Sequence, residues 1–322
     1  MAQVRLALAG DTMLGRGVAR ALTTRPPEAL VAPEVVALTA AADLVVLNLE
    51  CCVSERGRRW EAPGKPFFFR APPSAVELLR LLRVGCVTLA NNHALDYGPQ
   101  ALLDTLDHLA AAGIATVGAG PDLDQARRPA VLEAAGLRVA VVGATDHPAD
   151  FAAGPDRPGA AYADLPAGVP AWLLAAVRDA AAHAEVVLVT PHWGPNMTQA
   201  PVPHVRRAAA ALAEAGATLV AGHSAHVPHG VGGRVLYDLG DFLDDYAVDP
   251  RLRNDLGLLF LVTIDADGPV ALEAVPLKLD FCHTRLAEGE DAAWTRGRFR
   301  DACAALGTEA EEADGRLVVS WR

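Results

Sequence analysis

Asp11, Glu50, Asn92, His93, His192, His223 and His226 each stand at or just after the end of an apolar, largely β-branched run: VRLALAGD, LVVLNLE, VTLANNH, EVVLVTPH and ATLVAGHSAH. Carboxylate, amide oxygen and imidazole together suit Mn, Fe or Zn, and Ca where few imidazoles bind. Each residue alone has an ordinary reading. Asp11 can cap a following helix, Asn92 can close a turn, and His192 can be a satisfied buried histidine. In an open α/β sheet, however, the carboxyl ends of the strands share one crevice, so five polar strand ends amount to one constellation. His93 and Asp96 are three residues apart, close enough for the carboxylate to orient the ring. Such a pair suits proton transfer, because the imidazole titrates near working pH. Asp96 reads equally well as the cap of a helix that starts near Gly98. Asp11, His192 and His226 are further acid/base candidates, His147 ends another apolar run, and His229 reads as structural. For substrate contacts, Arg16 lies one helical turn beyond Asp11 and suits a carboxylate, while Trp193 could wall an apolar group. Packing is the plainer reading of Trp193.

The elements that must position these groups follow a βαβ pattern. Strands are expected at 4–10, 44–50, 87–90, 114–119, 138–144, 185–192 and 217–223, with helices at 74–83, 99–112, 169–184 and 203–215. After residue 230 the pattern turns antiparallel: GRVLYDLGD is expected to pair with GLLFLVTIDADGPVALEAVPL, whose DADG is a turn signal. A helix over 290–306 and the strand RLVVSW follow. There is no repeat or composition break, so residues 1–322 read as a single α/β domain, with a core over 1–245 and C-terminal strands and helix over 246–322. The stretches RPPEALVAPE and 146–168 read as surface loops near the site.

Composition narrows the function. A 322-residue chain that is 52% hydrophobic can bury a large core. Its net charge is −11 and its lysines are Lys65 and Lys278, a balance that repels phosphate backbones and argues against a nucleic-acid partner. The opening MAQVRLALAGD reads as a strand and not as a signal peptide, and no apolar run reaches the ~20 residues that cross a bilayer. Cys51, Cys52, Cys86, Cys282 and Cys303 are odd in number and read as reduced, mostly buried hydrophobes, so a cytoplasmic location without membrane attachment is expected.

The segments GDTMLGRG, NLECCVSERG, KPFFFRAPPSAVELL, ANNHALDYG, HWGPN, GATLVAGHSAHVPHGV and VLYDLGDF, in this order, resemble the CapA-type, poly-gamma-glutamate capsule biosynthesis family of the calcineurin-like metallophosphoesterase superfamily. The resemblance spans residues 8 to about 245. It implies a four-layer sandwich of two mixed sheets flanked by helices. It also implies metal ligands at Asp11, Glu50, Asn92, His192 and His223, with His93 beside them as a proton donor.

Departures from the superfamily pattern are specific. Asp11-Thr12-Met13 stands where dinuclear phosphoesterases carry Asp-x-His, Ser224 and Ala225 interrupt the last histidine motif, and Asn196 replaces a glutamate. A two-metal clamp needs full ligation at both positions, so the expectation is one divalent ion (Ca, Mn or Zn) and acid/base chemistry. Within the family the chain resembles the lasso peptide epimerase, which implies inversion of a peptide Cα by His/Asp groups, with a peptide as substrate. The alternatives are a metal-dependent hydrolase of a phosphoester, gamma-glutamyl or other amide bond, and a non-catalytic subunit in polymer assembly.

Overall fold

A computed structural model describes residues 2–61 and 64–322. Runs such as VRLALAG and VVLVTPH carry no polar alternation and therefore suit strands covered on both faces. They form parallel strands β1 (Gln3–Thr12), β2 (Leu44–Leu49) and β3 (Val84–Thr88) in one sheet, and β4 (Leu137–Thr145), β5 (Val186–His192) and β6 (Leu219–Ala221) in a second. β7 (Asp241–Leu243) joins the first sheet parallel to β1, and the hairpin of β8 (Leu256–Asp265) and β9 (Gly268–Asp280) joins it antiparallel. The first sheet has ten strands and the second six, and both are mixed.

The two sheets face each other. Leu6, Leu8 and Val46 of the larger meet Val139, Val141 and Leu188 of the smaller in one apolar layer, where Phe260 also packs on Phe299 of the C-terminal helix Gly289–Ala304. On the outer side of the larger sheet, Ala7, Val45 and Leu47 pack with α1 (Arg16–Thr24) and α2 (Gly98–Ala111) through Leu22 and Leu102. On the outer side of the smaller one, Val142, Val187 and Val189 pack with α3 (Ala171–His183) and α4 (Pro203–Glu214) through Leu173, Val177 and Leu212. This is the four-layer sandwich of two mixed sheets flanked by helices that the resemblance implied. The five cysteines are free and buried. No described helix is long and apolar enough to cross a membrane.

The segment after residue 230 departs from its expected pairing. Val235–Leu236 lies parallel to β6 in the smaller sheet, and the chain then crosses over so that β7 lies parallel to β1 in the larger. The cause is an open edge: β8 pairs β1 only as far as Leu8, leaving the backbone N–H groups of Asp11 and Met13 without a ladder. Gly240 and Leu243 carbonyls accept them at 2.8 and 2.9 Å. The approach is so close that a Cβ on Gly10 would lie 1.8 Å from the Gly240 oxygen.

Gly10→Ala is therefore expected to lower stability by at least the ~1–3 kcal/mol of an overpacked core. Gly297→Ala, at a helical position with nothing within 4 Å, is expected to raise it by about 0.5–1 kcal/mol. Thermal unfolding of the two variants checks this, and equal midpoints would contradict it.

Candidate metal centre

The crevice is built by strand ends that are tied to one another. A register shift in β1 between Ala9 and Asp11 re-aims Asp11. Its Oδ1 accepts from Asn48 Nδ2 at 2.7 Å, Asn48 Oδ1 accepts from Asn91 Nδ2 at 2.8 Å, and Asn91 Oδ1 accepts the backbone N–H of His93 at 3.0 Å. A chain of amides thus fixes the ends of β1, β2 and β3 relative to each other. Asp11 caps no helix: α1 begins beyond it, after Gly15, with no side-chain cap.

Around this frame lie donors with no partner. Asp11 Oδ2, Glu50 Oε1, Asn92 Oδ1, both ring nitrogens of His192, His223 Nδ1 and Asp241 Oδ2 are buried and make no hydrogen bond. Each such group costs about 1–3 kcal/mol when left unsatisfied, so a concentration of them marks a place for a ligand. Asp11, Glu50 and His192 offer atoms within 4.8 Å of one another, as do Asp11, His226 and Asp241. His223 Nδ1 lies 3.5 Å from Asp11 Oδ1, while its Nε2 pairs with the Thr190 hydroxyl at 2.9 Å. That outer bond fixes the ring with Nδ1 inward, as second partners of metal-bound histidines do. Asn92 sits at the same strand end, its backbone oxygen accepting from Lys65 Nζ at 2.6 Å. The donor set is mixed oxygen and nitrogen and fits a divalent cation.

Burial dominates the electrostatics of these groups. Burial, with the Asp11 charge next, pushes Glu50 well above the usual carboxylate range, and burial followed by the Asp244 charge does the same to Asp241. Burial pushes His192 well below the imidazole range. Burial works against ionisation of Asp11 too, but His223, His226 and His192 hold it low. His226 goes the other way: burial opposes its protonation, yet the charges of Glu50 and Asp11 raise it.

His93 and Asp96 form the expected pair. Asp96 Oδ2 lies 2.6 Å from His93 Nδ1 and accepts the Phe69 N–H at 2.6 Å, and Oδ1 lies 3.0 Å from Lys65 Nζ. It does not cap α2, whose N-cap is Tyr97. The His93 ring stacks on Phe69 at 4.0 Å, and burial pushes its pKa down to about 4 against the pull of Asp96. The pair borders a cleft of about 410 Å³ lined in part by Phe67, Phe69, Met197, His226 and Tyr246.

Two expected substrate contacts are corrected. Trp193 is 2% exposed, packs in the outer core beside α4 and donates Nε1 to the Tyr237 oxygen, so it does not reach the cleft. Arg16 does line the cleft, but its guanidinium is bound to Asp245 and lies over Phe67, Phe69 and Tyr246, leaving no free fork for a substrate carboxylate. His147 is gripped by Asp146 with its ring 5.1 Å from that of His192, and His229 bonds the Thr198 oxygen away from the centre. Sequence reasoning placed Asn48 and Asn91 among the polar strand ends without giving them a role, and it missed Asp241 and Tyr246, whose hydroxyl donates to Glu50 Oε2 at 3.2 Å. Of these two, Asp241 carried a signal, as the second acid of LYDLGDF.

Buried carboxylates and imidazoles gather at the strand ends of a layered α/β sandwich and offer a site for a divalent cation. Residues 5–246 match the family described as bacterial capsule synthesis protein PGA_cap, and the chain belongs to that family. It is 36% identical over 276 residues to a probable polyglutamine synthesis accessory protein of Mycobacterium tuberculosis, covering 80% of this chain and 71% of the relative. It is 30% identical over 242 residues to the PGA biosynthesis protein CapA of Bacillus subtilis, covering 73% and 62%. A 5′-nucleotidase precursor from Thermus thermophilus superposes with a TM-score of 0.46 at 14% identity, over 95% of this chain and 59% of that one.

In metal-free protein, Glu50 and Asp241 keep protons that the unfolded chain releases, so the folded state binds more protons and these groups lose stability as pH rises above about 4. The chelated wild type is expected to lose more stability between pH 5 and 7 than chelated Glu50→Gln, and Mn²⁺ at 100 times its Kd is expected to add about 2.7 kcal/mol. Calorimetry at the two pH values checks both, and equal pH slopes with no response to Mn²⁺ would contradict the metal reading.

Proposed function

We propose that the protein is a metal-dependent hydrolase that cleaves a phosphoester or a gamma-glutamyl or other amide bond during the making of a glutamate polymer. The observation that carries this is the set of unpartnered buried donors beside an oriented imidazole at an open cleft. The names of the relatives, a probable polyglutamine synthesis accessory protein and a PGA biosynthesis protein, supply the polymer.

Asp11, Glu50, His192 and His223, with Asn92, would hold a divalent ion, which acts in such sites as a Lewis acid toward a carbonyl or phosphoryl oxygen. Tyr246 donates to Glu50 Oε2 and leaves Oε1 free to bind. Asp96 holds His93 by Nδ1, so that Nε2 would be free at the cleft; with its pKa near 4 the resting ring is neutral and would take a proton from the attacking water before passing it to the leaving oxygen or nitrogen. Lys65, bound to both Asp96 and the Asn92 backbone oxygen, ties the proton donor to the ligand beside it. An amide substrate would be peptide-like, and Phe67 and Met197 give its side chains an apolar wall.

Peptide epimerisation drew its support from ligands missing in the first, fourth and last motifs. His226 and Asp241 stand in that part of the crevice, at 3.3 Å and in strand register with Asp11, so the shortage no longer favours it.

His93→Gln is expected to lower kcat by about 10²–10⁴ with ion content unchanged. The assay follows Mn²⁺-loaded protein with phosphoesters, gamma-glutamyl peptides and alpha peptides in heavy water. Bond cleavage lost in the variant supports the proposal. Deuterium at Cα of an intact peptide would replace it with epimerisation, and no turnover of any of them would favour the assembly subunit.

A further inference from the structure

The proton donor and the first ion position leave Asp241 without a task. Asp241 is fully buried, opens β7 directly opposite Asp11 in the parallel register, and keeps Oδ2 without a partner. His226 Nδ1 lies 2.8 Å from Asp241 Oδ1 and 3.3 Å from Asp11 Oδ2. To put the ring there the His226 backbone takes φ 61°, the left-handed region that a non-glycine residue enters at a cost of about 1–2 kcal/mol.

Orienting His226 needs only Oδ1 of Asp241, and the neighbouring Asp244 carboxyl can pair with Asp241 only when one of the two carries a proton; with both ionised, Oδ2 is left without a partner. Met13, two residues after Asp11, offers nothing at this end: it packs in the apolar core on the helix side, and its Sδ accepts the Gly15 N–H at 3.0 Å. Asp11, Glu50 and Asp241 are buried together, Asp244 Oδ2 beside them is unpartnered, and the cations at the rim, Arg16 and Lys65, are committed to Asp245 and Asp96. A buried carboxylate is tolerated only when paired or bound to a metal.

We propose that Asp241 is a metal ligand, and that with Asp11 and His226 it forms a second ion position adjoining the one framed by Asp11, Glu50 and His192. This rests on the metal reading of the site. Asp11 belongs to both donor groups. The ions are divalent and of the Mn or Zn class, since each group mixes carboxylate oxygen with one imidazole.

The test counts metal without using activity. Chelator-stripped wild type, Asp241→Asn and Asp241→Glu are equilibrated with Mn²⁺, desalted and analysed for Mn per chain, with circular dichroism as the folding control. Two Mn are expected in the wild type, one in Asp241→Asn, and two in Asp241→Glu. The Mn-loaded wild type should also give the spin-coupled paramagnetic resonance spectrum of ions about 4 Å apart, a reading that needs no variant to fold. One Mn in the wild type with an uncoupled six-line spectrum, or two retained in Asp241→Asn, overturns the inference while the first position stands. No Mn in any sample overturns the metal reading with it.

Discussion

The structure is organised around carboxylates that are kept out of water at the strand ends. Asp11, Glu50 and Asp241 are fully buried where the two sheets come together at their carboxyl ends. Desolvating a carboxylate costs several kcal/mol even after relaxation, and the nearest full positive charges lie at the cleft rim in pairs of their own. A fold that holds such groups rigidly has spent stability to keep a binding site ready. The amide chain through Asn48 and Asn91 shows how it does so: neutral donors fix the positions of the ligands without neutralising them.

Fold and site are coupled through β1. Its end must accept β7 at an edge that β8 leaves open, and the near contact of Gly10 with Gly240 sets the distance between them. The same pairing places Asp241 beside Asp11. The other wall comes from the second sheet, where an isolated bridge between His192 and His223 holds the two histidines side by side. The candidate centre therefore exists only where both sheets are in register, and the hydrogen-bonded pair His93 and Asp96 is added from the turn after β3.

Much of this was legible in the sequence, for a physical reason. Strands buried on both faces appear as unbroken apolar runs, and their ends appear as abrupt polar residues, so Asp11, Glu50, His192 and His223 could be gathered by chain position alone. What escaped depends on partners distant in sequence. Asp241 looked like part of an antiparallel hairpin, because nothing local shows that β8 stops at Leu8 and leaves the end of β1 open. Arg16 looked free for substrate because Asp245, which binds it, lies 229 residues away. Trp193 shares its neighbour's position but not its direction, since successive side chains on an extended strand face opposite sides.

The most direct test of the metal centre is anomalous diffraction from a crystal soaked in Mn²⁺, recorded near the Mn absorption edge. The account predicts anomalous density at the strand ends, about 2.0–2.2 Å from Asp11 and Glu50 carboxylate oxygens and from a His192 ring nitrogen. Density only at surface carboxylates, with the strand-end crevice holding water alone, would contradict it.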